Sequence, residues 1–434
     1  VLDVSSEEIT KILKKTKGLD DARKIIQEIL TAKKGFRISR IVEIVVATSL
    51  ATGASDIHIE PEEGYIRLRF RLDGILTEVL NFDRETYELL LSRIKLLSGL
   101  KLNIKESPQD GRFSIRLEES DIEIRSSTLP GAYGESIVMR ILNPDAISVP
   151  LEELGMDDYF LEIVKKEISR PNGMILNTGP TGSGKTTTLY AILKKIHTPE
   201  VKIITIEDPV EYHLPGIVQT QVEKAKKYTF ASGLRASLRQ DPDVIMVGEI
   251  RDQETAEIAI NAALTGHLVF STLHTNNASG TFPRLIDLGV NPKVISSAIN
   301  LSMAQRLVRK LCKDCKKEAT ATEAELVKIK RIIDSIKDKT RIPKDYKKVW
   351  VAGVGCATCE KTGYKGRLGI FEAIVSDKEL EDVIQKNPSE REIEKASEHQ
   401  GILNMKQDGI LKVLRGITSM AELERVLDLD VETN

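Results

Sequence analysis

From Ser5 to Leu30, apolar residues recur at helical spacing (Ile9, Ile12, Leu13, Ile25, Ile26, Ile29, Leu30) among many charges, and Lys34-Gly35 ends the pattern. The spacing predicts a small helical lead-in over residues 1–35. A second helical pattern, Ile38 to Thr52, is followed by short alternating runs at Asp56 to Ile59, Tyr65 to Leu72, Gly111 to Leu117, Ile122 to Ser127 and Ser136 to Leu142. With a helix around Tyr87 to Leu100, these runs predict an α+β domain over residues 36–147. Asn143-Pro144 to Pro150 carries the turn formers of a linker, which puts a boundary near Ser148. Beyond Leu154-Gly155, strand and helix alternate as a parallel sheet demands, so an α/β domain is expected over 148–303. The Lys-, Glu- and Asp-rich stretch Lys316 to Lys348 reads as a solvated helix and loop inserted into a small module, 304–372, and helices are expected over 373–434.

A chain of 434 residues exceeds what one hydrophobic core supports, in keeping with this division. Acidic and basic side chains nearly cancel, at a net charge of −2, so global charge names no partner. The longest apolar stretch, Ile41 to Ala54, is interrupted by Glu43 and by Thr and Ser, which argues against a spanning helix and for a soluble chain. The first residue is Val1 and a charged amphipathic segment follows, which fits a trimmed or renumbered chain without a signal peptide.

The most specific pattern begins at the apolar run Met174 to Thr178. It continues as Gly179-Pro180-Thr181-Gly182-Ser183-Gly184-Lys185-Thr186 and then as a helical stretch from Thr187 to Ile196. Glycines let successive backbone N–H groups turn inward around phosphates, and a helix N-terminus adds its positive end. Lys185 would reach the outer phosphates and Thr186 would hold Mg²⁺. ATP hydrolysis further needs an acid near the metal, a group to orient water and positive charge on the departing phosphate. Val201 to Ile206 ends in Glu207-Asp208, and Asp243 to Val247 in Gly248-Glu249, each at the carboxyl edge of an expected strand where open α/β sheets bind ligands. Glu207 is the expected water-orienting base and Glu249 the group facing Mg²⁺, although the two could exchange roles. Thr265 to Thr275 reads as a third strand with His274 at its end, placed to sense the γ-phosphate, and His267 at its start. Arg235, Arg239, Arg251 and Arg284 crowd this region, while Arg125 and Arg140 end strands of the preceding domain. Surface ion pairing is the default for any one of them, but a neighbouring domain can also supply an arginine to the transition state.

These residues resemble the secretion and type IV pilus ATPases from about Ile41 to the C-terminus. Ala54 to Pro61, Arg69 to Gly74 and Pro108 to Arg112 are similar to that family's second N-terminal domain. Ile204 to Glu211, Leu238 to Asp252 and Thr265 to Asn276 resemble its Asp box, Walker B region and His box. The resemblance implies a RecA-like P-loop ATPase domain preceded by a smaller α+β, PAS-like domain. It implies a homohexameric ring that turns over ATP with Mg²⁺ and moves an inner-membrane platform protein, so that pilin-like subunits join a filament. The protein would work in the cytoplasm at the inner face of the bacterial inner membrane, held there through partners, with no nucleic acid involved. Arg125 and Arg140 sit where the family places arginines that approach nucleotide. A further N-terminal domain contacting a membrane partner is also implied, and only residues 1–34 precede the pivoting domain here.

The four cysteines form two C-x-x-C pairs, Cys312/Cys315 and Cys356/Cys359, each able to offer two thiolates to one structural Zn²⁺. The long gap between the pairs leaves buried free thiols as the alternative. In the family such a module is typical of filament-assembling motors. Two other functions stay open on residues alone, a DNA-directed translocase and a scaffold that binds ATP without turning it over.

Overall fold

The computed structural model describes residues 6–31, 34–117, 121–144 and 148–430. The chain divides into two compact units, Val1–Ala146 with Val354–Lys365, and Ile147–Gly353 with Gly366–Asn434. The expected linker lies partly outside the described residues, at 145–147.

In the first unit, α1 (Ser6–Lys15), α2 (Leu19–Thr31) and α3 (Lys34–Ala51) precede β1 (Asp56–Pro61), β2 (Ile66–Leu72) and β3 (Ile75–Phe82). Then come α4 (Arg84–Leu97), β4 (Gln109–Arg116), β5 (Asp121–Gly131) and β6 (Gly134–Leu142). The strands form one antiparallel sheet in the order β3-β2-β1-β6-β5-β4. Alternation puts Ile57, Ile59, Leu68, Phe70, Ile124, Ile137 and Met139 on the buried side, in one core with Val42, Val45 and Val46 of α3 and Tyr87, Leu90 and Ile94 of α4. Asp83 starts α4 by accepting the Thr86 N–H at 2.8 Å. The edge strand β3 was not expected, because of its residues only Val79 is buried and its pattern does not alternate. Within the same unit, the Glu360 carboxylate accepts the Leu19 N–H at 2.6 Å and so closes the first turn of α2.

The second unit begins with α5 (Asp158–Glu167), β7 (Gly173–Thr178), α6 (Lys185–Ile196), β8 (Ile203–Glu207), β9 (Val218–Gln221) and α7 (Phe230–Leu238). It continues with β10 (Val244–Val247), α8 (Gln253–Leu264), β11 (Leu268–Leu273), α9 (Thr281–Asp287), α10 (Pro292–Ala298) and β12 (Ile299–Leu311). The seven-stranded sheet has the order β15-β12-β7-β11-β10-β8-β9, with β15 at Tyr364–Val375, and all pairs from β12 to β9 are parallel. Every residue of β7, β8, β10 and β11 is buried, as a sheet covered on both faces requires. Met174 and Leu176 join one core with α8, α9 and α10, and Ile175 joins another with α5 and α6. This is the mixed α/β architecture that the alternation of strand and helix predicts.

The remaining elements are β13 (Lys317–Thr320), α11 (Glu323–Asp334), β14 (Lys348–Val351), α12 (Lys378–Ile384), α13 (Glu390–Ser397), α14 (Met405–Leu414) and α15 (Met420–Val426). The expectation of a merely solvated insert needs correction here. Ile329, Ile332 and Ile333 of α11 are buried in a core with Ile410, Leu411 and Leu414 of α14 and Leu423 of α15. The charges of α11 occupy its other side, which is why composition alone concealed the apolar stripe.

Candidate active site

The glycine loop leaves β7 at Thr178 and enters α6 through Gly184, whose φ of +92° is left-handed and suits glycine. Gly179 has a φ of +145°, and a Cβ there would meet Gln305 O and Ser183 Oγ at 2.7 Å each. Lys185 folds back over the loop, its Nζ donating to Gly179 O at 2.7 Å and Pro180 O at 3.1 Å. Burial lowers the Lys185 pKa, with Glu249 opposing that shift and Arg306 adding to it. Thr186 and Thr187 lie in the first turn of α6, with Thr186 exposed. Gln305 of β12 braces the loop from beneath: it accepts from Asn177 Nδ2 at 2.8 Å and donates to Ser183 O at 2.6 Å.

The two expected carboxylates sit in different surroundings. Glu207 ends β8 only 3% exposed, and accepts from the hydroxyls of Tyr190 and Thr205 and from Gln219 Nε2. Burial raises its pKa, and those three donors act in the opposite direction. Glu249 follows β10 in a parallel register that sets Val247 between Ile206 and Ser271, so both acids emerge at the same carboxyl edge. Glu249 pairs with Arg251 and, at 3.1 Å, with His274 Nε2. His274 and His267 both lie just outside β11, which is shorter than expected; His267 Nδ1 contacts Ala262 O at 3.1 Å, away from the loop. Thr178 Oγ1 accepts the Thr275 N–H at 2.8 Å and ties the end of this segment to β7.

Of the other arginines in this unit, Arg235 pairs with Glu254 at 2.6 Å, Arg239 donates to Arg235 O at 3.0 Å, and Arg284 is exposed. In the first unit, Arg125 and Arg140 stand directly opposite each other on β5 and β6; Arg125 lies mid-strand, not at an end. Arg140 Nε donates to Asp56 at 3.1 Å and Arg125 Nε to Glu123 at 3.0 Å. Sequence reasoning missed Tyr190, Gln305 and Arg306, which sit inside apolar runs, and Gln219, which lies on the short polar strand β9, none with a motif of its own.

A strand, glycine loop and helix with a lysine folded over the loop and two carboxylates at the same sheet edge is the arrangement of a P-loop nucleotide site. A family model described as type II/IV secretion system protein matches residues 31–425. The chain belongs to this family. It is 44% identical over 402 residues to type II secretion system protein E of Pseudomonas aeruginosa, covering 92% of this chain and 77% of that one. It is also 44% identical over 400 residues to type II secretion system ATPase E of Vibrio cholerae, with the same coverage. The fold is similar to that of the Legionella pneumophila ATPase DotB (TM-score 0.61, 23% identity, 88% of this chain and 94% of that one). It is likewise similar to the pilus retraction motor PilT with bound ADP (TM-score 0.57, 24% identity, 90% and 96%). The chain is therefore an ATP hydrolase of the secretion ATPase family.

Within the first unit, Cys356 Sγ and Cys359 Sγ stand 3.7 Å apart. Two thiolates on one tetrahedral zinc, at about 2.3 Å each, would stand roughly 3.8 Å apart, so this pair fits the ion. The Cys356 and Gly363 N–H groups donate to Cys359 Sγ at 3.2 and 3.3 Å. Among the described residues no helix is long and apolar enough to cross a membrane.

Proposed function

We propose that this protein is a hexameric ATPase motor that drives assembly of a type IV pilus or type II secretion pseudopilus filament. It would work from the cytoplasmic face of the bacterial inner membrane through a platform protein. The observation that carries this reading is the acid pair beside the loop together with 44% identity to a type II secretion system ATPase E. Residues 148–303 act as a RecA-like core, 36–147 as a PAS-like domain, 1–35 as a lead-in, 304–372 as a zinc module and 373–434 as a helical region. Residues 179–187 bind ATP, Thr186 and Glu249 hold Mg²⁺, and the four cysteines hold a structural zinc. Glu207 orients water, because burial raises its proton affinity and so suits it to act as a base. His274 senses the γ-phosphate, and Arg125 and Arg140 supply positive charge within the assembled ring.

The test is steady-state ATPase activity against protein concentration, with particle size followed in parallel and DNA added in one arm. Activity that rises with hexamer formation and ignores DNA is expected. Stimulation by DNA would replace this reading with a translocase, and turnover no higher than that of Lys185→Ala would replace it with a scaffold.

A further inference from the structure

We propose that Arg306, on β12, is a second cation of the phosphate site, meeting the terminal phosphate of ATP from within the same chain as the glycine loop. No residue motif announces it. β12 runs parallel to β7 with Ala304 opposite Thr178, so Arg306 stands just beyond that pairing, level with the start of the loop. A Cβ added to Gly179 would lie 3.2 Å from Arg306 Nη1.

Nη1 donates to Gln305 O at 3.1 Å, and Nη2 donates at 2.8 Å to Asn276 O, two residues beyond His274. The guanidinium thus reaches from the loop entry to the segment that follows β11, the side on which His274 and Glu249 lie. Its partners are carbonyl oxygens, and among the described residues no carboxylate comes within ion-pair distance of it. The charge of Glu372 counters its burial, but that carboxylate is already taken by the Ala278 and Met405 N–H groups at 2.8 and 3.1 Å.

Two further observations point to an anion. Arg306 and Lys185 repel each other across the loop, which adds to the lowering of the Lys185 pKa. Ser183 Oγ, 3% exposed, has no hydrogen-bond partner, and it faces Gly179 at the same place. A phosphate relieves both conditions, because its oxygens accept from a hydroxyl and from the planar fork of a guanidinium. Since Nη2 already extends toward the His274 side, the phosphate it meets is the one that ADP lacks.

The inference rests on the loop binding nucleotide. It is tested by equilibrium binding of Mg-ATPγS and Mg-ADP to the full chain carrying Arg306→Gln, Arg306→Lys or Lys185→Ala, with nucleotide-free melting of each. Arg306→Gln is expected to weaken ATPγS binding about tenfold while ADP affinity stays within about twofold, with Arg306→Lys recovering part of the loss. A merely structural role leaves the ratio of the two affinities alone, so an unchanged ratio overturns the proposal, whether both affinities persist or fall together. If Lys185→Ala binds ATPγS as tightly as the unaltered chain, the loop reading itself fails first.

Discussion

Glu207 is a carboxylate on which burial and hydrogen bonding act against each other. Burial pushes its pKa above the ordinary glutamate value, and the Thr205, Tyr190 and Gln219 donors restrain that rise. A base must be ionised, so the acid limb of the ATPase rate profile is expected above the usual carboxylate range. Tyr190→Phe removes a donor to the ionised form and should move that limb further up; an unmoved limb would separate Glu207 from base catalysis. The sign for stability follows from the same shift. A group whose folded pKa is raised contributes fully below its unfolded value and loses that contribution as pH rises through the folded value. Glu207→Gln should therefore flatten this part of the pH dependence of melting and lower kcat by roughly 10² or more. Glu207, Glu249 and His274 were legible in the sequence because each closes or follows an apolar run whose strand type was clear. Tyr190 was not, since it lies inside the apolar pattern of α6 and its partner is 17 residues away.

Elements carry a different kind of legibility. Strands with a buried face, such as β1, β6, β7 and β11, stood out through their apolar residues, whereas the edge strand β3 lacked the burial that writes a pattern into sequence. The helix α11 was visible as a helix, but its burial depended on α14, whose contacting residues lie about eighty positions on. Ile329 is fully buried there, so Ile329→Ala should cost about 2–5 kcal/mol in chemical denaturation. A cost near zero would return α11 to the solvated insert that its charges first suggested. The brace between β12 and the loop makes its own prediction. Gln305→Ala leaves Asn177 Nδ2 and Ser183 O without their buried partner, at about 1–3 kcal/mol for each group, and should weaken nucleotide binding while the sheet still forms. Binding measured beside melting distinguishes a loosened loop from a lost strand.

At the scale of the molecule, the cysteine set and the arginines of the first unit give two experiments. Elemental analysis is expected to find one zinc per chain, and chelation should open residues 312–316 and 354–365 to protease. An intact protein without zinc would leave the cysteines as buried thiols. If Arg140 acts across a ring, Arg140→Ala and Lys185→Ala chains are each inactive alone and regain part of the activity when mixed; no recovery would confine catalysis to one chain. Gln305, finally, is 122 residues beyond the Ser183 carbonyl that it holds. On the ribosome the glycine loop is made long before its brace, so a nascent chain passes through an extended period with its phosphate-binding segment translated but unsupported. Nucleotide would then be able to assist folding only once β12 has emerged.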